Sequence, residues 1–155
     1  MILVSGCARD DRAYPSLAPR PVETLGFAEP ETNQPDVRPD PALDAKIADQ
    51  RQALARIAKG FADAAVIADG AARRAKGKAV GTDAWLDAQS GLAQLDDWRA
   101  QTSSLVTDFD QLIAERAATL LPVYPPLATM RSDAVEEAKS QGESIDRIEA
   151  MLVLS

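Results

Sequence analysis

Several kinds of residue are rare or absent in this chain of 155 residues, and each absence narrows its function. It has no histidine, which removes the commonest metal ligand and the usual proton shuttle near neutral pH. Aromatic residues make up 5% of the chain, so a core must be built mainly from Ala, Leu, Ile and Val. The net charge of −7 lacks the basic excess typical of nucleic-acid binding. We therefore expect no metal, no cofactor and no nucleic-acid partner.

The chain also has a single cysteine, Cys7, which ends the string Val4-Ser5-Gly6-Cys7. This string resembles a bacterial lipobox, in which an aliphatic residue and two small residues precede a cysteine that is acylated after cleavage. A secretory signal needs a basic start and roughly 7–15 apolar residues. Because only a short apolar stretch is present, we expect Met1 to be an internal start or a trimmed end, with the rest of the signal upstream. The alternative is an unmodified surface thiol.

Acylation of Cys7 would attach the protein to a membrane. Several acyl chains on one cysteine attach a protein stably to a bilayer, at about 0.8 kcal/mol for each buried CH₂ group. Residues 1–6 are then the remnant of a signal peptide. Ala8 follows the cysteine, instead of the Asp that retains many Gram-negative lipoproteins in the inner membrane. The resemblance therefore implies attachment to the outer membrane, facing the periplasm.

Residues 7–40 are predicted to form a Pro-rich, extended tether. Seven of the ten prolines lie in or next to this segment: Pro15, Pro19, Pro21, Pro30, Pro35, Pro39 and Pro41. This spacing disfavours regular helix and sheet, and it favours polyproline-II segments that rise about 3.1 Å per residue. Residues 14–21 are also of the type that docks in an aromatic groove, although a plain linker is the simpler interpretation.

Residues 41–155 show helical periodicity and predict a folded all-α domain. Asp40-Pro41 supplies an N-cap and a proline at the first helical position. The first helix is predicted over residues 41–77, with glycines at its end. The small and apolar residues of its predicted buried face, which we call its seam, recur at spacings of three and four when Gln50 is counted as a polar interruption: Leu43, Ile47, Leu54, Ile57, Phe61, Ala64, Ala68, Ala71 and Ala75. Gly60 and Gly70 should each weaken this helix by up to about 1 kcal/mol.

Two further helices are predicted over residues 83–121 and 127–153. The second is capped by Thr82 or Asp83, and its seam comprises Trp85, Ala88, Leu92, Leu95, Trp98, Thr102, Leu105, Phe109, Leu112 and Leu120. The third has Leu127, Met130, Ala134, Ala138, Ile145, Ile148 and Leu152, and Gly142 is expected to divide it. A short loop makes the first two helices antiparallel neighbours. The expected fold is a long, coiled-coil-like antiparallel hairpin with a third helix packed on it.

This architecture resembles a group of small alphaproteobacterial envelope lipoproteins. The likeness rests on the lipobox, the Pro-rich segment, the Ala-rich hairpin and the string Gly81-Thr82-Asp83-Ala84-Trp85 at its turn. It implies a helical protein of the cell envelope and transfers no catalytic residues.

Arg73, Arg74, Lys76 and Lys78 form a cationic cluster at the predicted hairpin turn. Cations at a helix C-terminus complement the helix macrodipole, which is the simpler explanation. The alternative is contact with an anionic partner such as lipid headgroups, lipopolysaccharide phosphates or cell-wall carboxylates.

Candidates for chemistry are few. Adjacent acids occur at Asp96-Asp97, at Asp108 with Asp110, and at Glu136-Glu137, and solvated helix faces explain them. Trp85 and Trp98 are able to stack on sugars, but their seam positions favour core packing.

The sequence therefore predicts a lipid-anchored, non-enzymatic structural or adaptor protein of the cell envelope. Its partner would be an envelope protein or an anionic envelope polymer. A cell-wall or glycolipid-binding or hydrolytic accessory factor, acting through the acids and tryptophans, is one alternative. A cytoplasmic coiled-coil adaptor is the other, if the string at Cys7 is accidental. An Ala-rich seam can pack against a second copy of the chain as readily as against the chain's own third helix. Of these two arrangements, we predict the monomeric bundle.

Overall fold

A computed structural model describes residues 18–23 and 36–153 of this chain. Cys7, the rest of the lipobox string and most of the predicted tether lie outside the described residues. Pro21–Glu23 form one 3₁₀ turn, in which the Glu23 amide donates to the carbonyl of Arg20. This short helical turn was not part of the polyproline-II prediction.

Residues 36–153 are built on three long helices, which confirms the predicted all-α fold. α1 is Pro41–Ala75, α2 is Asp83–Ala118 and α3 is Pro125–Val153. Each helix packs against the other two, and the described part of the chain contains no strand. Among the described residues, no helix combines the length and the apolar character needed to span a bilayer.

The helices alternate in direction along the bundle. Gly60 of α1 lies against Trp98 of α2, and Ala68 lies against Gly91, so these two helices form the predicted antiparallel hairpin. Arg131 of α3 pairs with Asp110 of α2 at 2.5 Å between Nε and Oδ1. Gly142 lies opposite Arg99, so the register of α2 and α3 is antiparallel as well.

α1 begins and ends at residues whose conformations follow from their chemistry. The Asp40 carboxylate accepts a hydrogen bond from the Leu43 amide at 3.1 Å, which confirms it as the N-cap, and Pro41 fills the first helical position. The helix ends at Ala75, two residues before the predicted end. Gly77 follows with φ of 74°, a left-handed conformation that terminates a helix at little cost for glycine.

The junction between α2 and α3 differs most from the prediction. α2 ends at Ala118, and Leu120 adopts a φ of 56° in the turn that follows. The assignment of Leu120 to the seam was wrong, because its side chain is 92% exposed. α3 begins at Pro125, earlier than predicted, since prolines fit the first turn of a helix, where amide groups have no intrahelical partner. It continues through Gly142 as one helix.

The predicted seams form most of the core. In α1, every predicted seam residue except the half-buried Leu43 is buried, and Ala72 is added to them. In α2, Trp85, Trp98 and Leu112 are half-buried and the seam residues Ala88–Phe109 other than Trp98 are buried. The buried seam residues of α3 are Leu127, Met130, Ala134, Ile145 and Ile148.

Two polar side chains, Thr102 and Gln141, are buried in the middle of the bundle. On α2 and α3 they separate one apolar cluster, which includes Phe109, from a second, which includes Leu95. The Gln141 amide donates to Glu137 at 2.9 Å, whereas the Thr102 hydroxyl and the Gln141 carbonyl have no partner in the structure. Because a buried polar atom without a hydrogen-bond partner costs free energy, this polar layer weakens the middle of the core.

Candidate functional site

The four predicted cations lie together at the α1–α2 end of the bundle, which we call the cationic tip (Arg73, Arg74, Lys76 and Lys78). The two arginines are in the last turn of α1, and the two lysines are in the connection to α2. All four side chains are exposed. Gly77 and Gly81 both have positive φ values, 74° and 85°, which compress the connection into a tight loop. The loop therefore presents the lysines close to the end of the helix.

One of the four cations is paired within α1. Arg73 Nε lies 2.7 Å from an Asp69 carboxylate oxygen, and a second hydrogen bond joins the same two side chains at 3.4 Å. The hydrogen bond and the charge of Asp69 raise the pKa of Arg73 above its ordinary value. Arg73 is thus partly neutralised by a neighbour one turn away. The sequence prediction treated the four cations alike and did not foresee this pairing.

The adjacent acids do not form a common site. Asp108 lines an open groove of about 450 Å³ between α1 and α2, together with Lys46, Asp49 and Glu115. Asp110 points instead towards α3, where its hydrogen bond with Arg131 lowers the pKa of the Asp110 carboxyl. Glycoside hydrolysis needs two carboxyl groups facing one bond. This pair does not provide that arrangement, because its two members engage different helices.

The remaining acids and the tryptophans agree with structural roles. Asp96, Asp97 and Glu136 are exposed, and Glu137 accepts the hydrogen bond from Gln141. Trp98 is half-buried and packs against both apolar clusters of the core, as predicted for a seam residue. Trp85 is also half-buried. Within the described residues, no group of three or more Cys, Asp or Glu side chains is arranged to hold a metal ion.

The opposite end of the bundle contains a cluster that the sequence did not reveal. Arg116, whose side chain is only 11% exposed, donates from Nε to the carbonyl of Pro122 at 2.8 Å. Its Nη1 lies 3.4 Å from a carboxylate oxygen of Asp40, and its guanidinium lies 5.0 Å from the centroid of the Tyr124 ring. Arg116 therefore ties the end of α2, the start of α1 and the α2–α3 turn together.

Tyr124 completes this cluster. Its hydroxyl donates to Asp44 at 2.7 Å and accepts from the Asp40 amide at 3.4 Å. The hydrogen bond to the Asp44 carboxylate, followed by desolvation, raises the pKa of Tyr124 above its ordinary value. The phenol thus stays protonated and donates throughout the physiological pH range. No spacing rule predicts these contacts, because Asp40 and Tyr124 are 84 residues apart.

The turn next to this cluster exposes aliphatic side chains. Leu120, Leu121 and Val123, which we call the apolar turn, are 92%, 50% and 70% exposed. Pro122 lies between them, and residues 117–123 carry no charge. The signal was visible in the sequence as an uncharged run, but we interpreted its leucine as a continuation of the α2 seam.

Comparison with protein-family models, with curated proteins and with solved structures finds no match for this chain. The resemblance to alphaproteobacterial lipoproteins thus rests on the sequence features described above.

Proposed function

We propose that this chain is a lipid-anchored, non-enzymatic structural or adaptor protein of the bacterial cell envelope. It is held on the outer membrane through acylated Cys7, and its helical bundle faces the periplasm. The observation that supports this proposal is the chemical difference between the two ends of the bundle. One end is joined to the chain that carries Cys7 and exposes three aliphatic residues close together; the other exposes four cations and one large aliphatic residue, Val80.

The dimensions of the bundle suit a spacer. α1 has 35 residues, which corresponds to about 52 Å at 1.5 Å per residue. The chain that leads to Cys7 joins the bundle at Asp40, at the start of this helix, so the cationic tip lies about one helix length from Asp40. A rigid body of this kind can hold an anionic envelope polymer about one helix length from the point where the tether joins the bundle, without performing a reaction on it.

We expect Cys7→Ser to abolish acylation and membrane attachment. The variant keeps a small polar side chain but lacks the thiolate that forms the thioether to lipid. The natural coding sequence, including any upstream segment, would be expressed in a Gram-negative host and labelled with an alkyne-bearing fatty acid. Membrane fractions would be analysed by gel fluorescence and by mass spectrometry of the N-terminal peptide. Ser5→Ala is the matched control, because it leaves a small residue before Gly6 and should retain the label.

Recovery of wild-type protein from the soluble extract with a free Cys7 thiol and no added lipid mass would contradict the proposal. That result would favour the cytoplasmic coiled-coil adaptor instead.

We further propose that the cationic tip contacts an anionic polymer of the envelope. The net charge of −7 repels such a polymer overall, so attraction has to come from a local cluster. Changing Arg74, Lys76 and Lys78 to Gln should reduce cosedimentation of the full chain with purified peptidoglycan sacculi about ten-fold at low salt. Wild-type binding should also decline as salt is raised, because exposed charges are screened.

The matched control replaces three exposed cations on α1, Arg51, Arg56 and Lys59, with Gln. It changes the net charge by the same amount but leaves the tip intact. Equal losses for both triple variants would show that net charge, and not the tip, governs binding. The same cosedimentation measurement would be made with vesicles that contain anionic phospholipid. Comparing the two distinguishes headgroup phosphates from cell-wall carboxylates as the negative charges that the tip contacts.

A further inference from the structure

The apolar turn is an unusual surface for a connection between two helices. Turns are ordinarily polar, yet Leu120, Leu121 and Val123 expose large aliphatic side chains within four consecutive positions. Clustered exposure of this type marks a surface that contacts something apolar. Val66 and Ile67 on α1 are also exposed, but charged residues lie beside them, since Val66 shares a groove with Asp69 and Arg73.

The backbone holds these side chains outward. Leu120 has a φ of 56°, a left-handed conformation that residues with a Cβ atom seldom adopt. Its amide donates to Ala117, and the Leu121 amide donates to the carbonyl of Arg116. The Arg116 side chain fixes the other side of the turn through the Pro122 carbonyl at 2.8 Å. Together these two backbone bonds form the Schellman motif that commonly ends a helix at a left-handed residue, so they fix the conformation of the turn.

The apolar turn also lies at the end of the bundle that carries the chain to Cys7. Arg116 bridges the turn to Asp40, which caps the first helix, at 3.4 Å. Residues 8–40 separate Cys7 from the first helix. The distance from Cys7 to the start of that helix therefore cannot exceed about 3.3–3.6 Å for each of these residues. Attachment at Cys7 would therefore keep the apolar turn at a high effective concentration near the bilayer, where a weak intrinsic affinity is sufficient.

We propose that the apolar turn inserts into the headgroup–acyl boundary of the bilayer that holds acylated Cys7, an inference that rests on the proposed function. Aliphatic side chains in an uncharged run such as residues 117–123 gain most from hydrocarbon and little from a polysaccharide or an anionic polymer. The turn and the acyl chains then provide two points of contact. The bundle stands on the membrane with the apolar turn down, and the cationic tip points away from the surface.

The single cysteine provides a direct test. The purified full chain would be coupled through Cys7 to a maleimide lipid in phosphatidylcholine vesicles, and the reference would be the same chain with its thiol capped. Hydrogen exchange of the Leu120, Leu121 and Val123 amides would be compared between the two. We expect exchange in this turn to slow at least three-fold on the vesicles. Exchange in residues 76–81, at the cationic tip, should not change.

A triple variant, Leu120→Asn with Leu121→Ser and Val123→Ser, should lose this protection. Asn tolerates the left-handed backbone of residue 120, so the turn should keep its conformation. The matched control replaces three exposed aliphatic residues elsewhere, Val66, Ile67 and Val80, with Ser and should keep the protection.

Three results would overturn the inference: unchanged exchange in the turn, protection at residues 76–81 instead, or equal protection in the apolar-turn variant. None depends on acylation in the cell, because the coupling is chemical. A failure of the proposed function would appear separately, as a Cys7 without lipid in natively expressed protein.

Discussion

Replacing Leu95 with alanine is expected to lower the free energy of unfolding by about 2–5 kcal/mol. The Leu95 side chain is fully buried on α2 and belongs to the apolar cluster that includes Phe61 and Ile145, so all three helices surround it. The substitution removes apolar surface from the core and leaves a cavity that rigid helices fill only in part. Urea denaturation followed by far-ultraviolet circular dichroism would measure the change.

Leu120→Ala is the matched control, since it removes the same atoms from a side chain that is 92% exposed. It should change the free energy of unfolding by no more than about 0.5 kcal/mol. A loss for Leu120→Ala as large as that for Leu95→Ala would show that the α2–α3 turn is packed and that the assignment of its exposed face is incorrect. A Leu95→Ala variant of unchanged stability would contradict the packing of the bundle itself.

Replacing Gly60 with alanine is expected to destabilise the bundle by about 1–3 kcal/mol, although alanine is the better helix former. A Cβ atom at residue 60 would lie 2.5 Å from the ring of Trp98, well inside van der Waals contact. The ring packs against both apolar clusters, so it cannot move without disturbing the middle of the core. Denaturant titration would measure the loss of stability, and the tryptophan emission spectrum of the native state would report displacement of the Trp98 ring.

Gly70→Ala provides the comparison within the same helix. The nearest atom to a new Cβ there is a terminal nitrogen of the exposed Arg74 side chain, at 3.6 Å, which is ordinary contact. This variant should gain about 0.5–1 kcal/mol from helix propensity. If Gly60→Ala were stabilising by the same amount, the close approach of α1 and α2 at Trp98 would be refuted.

Gly60 and Gly70 show which effects on stability can be predicted from the sequence and which cannot. Helix propensity predicts the same weakening for Gly60 and Gly70, because it considers only the residue and its own helix. The difference arises from α2, whose Trp98 occupies the space beside one glycine and leaves the other open. Gly91 is a similar case, since a Cβ there would lie 3.1 Å from the backbone of Ala68. Which glycines are needed for close packing is thus a property of helix pairs.

Most of the fold was predictable because helical periodicity is repeated over many turns. The seam of α1 from Ile47 to Ala75 follows the buried face closely, and the Asp40 cap and Pro41 mark its start. The prediction was wrong at the end of α2, where too few residues remain in the helix to establish a period. Leu120 continued the spacing of α2, but the chain had already left the helix at Ala118.

The candidate surfaces were predictable to a smaller extent. The four cations lie within six consecutive positions, residues 73–78, and they are close in space because a helix end and a tight loop keep neighbours together. The cluster of Arg116, Asp40 and Tyr124 joins residues more than 75 positions apart, and no local pattern encodes it. The role of Leu120 in an exposed turn became visible only once the end of α2 was known.

The amino-acid sequence alone determined the helical class, the face of each helix that is buried and the string that ends at Cys7, since these depend on residues within a few positions of one another. Tertiary structure decided which glycine faces a neighbouring ring, which cation is partnered and which aliphatic residues remain uncovered. The physical reason is that burial and contact depend on distances between separate helices, and those distances are set by the packing of the whole bundle.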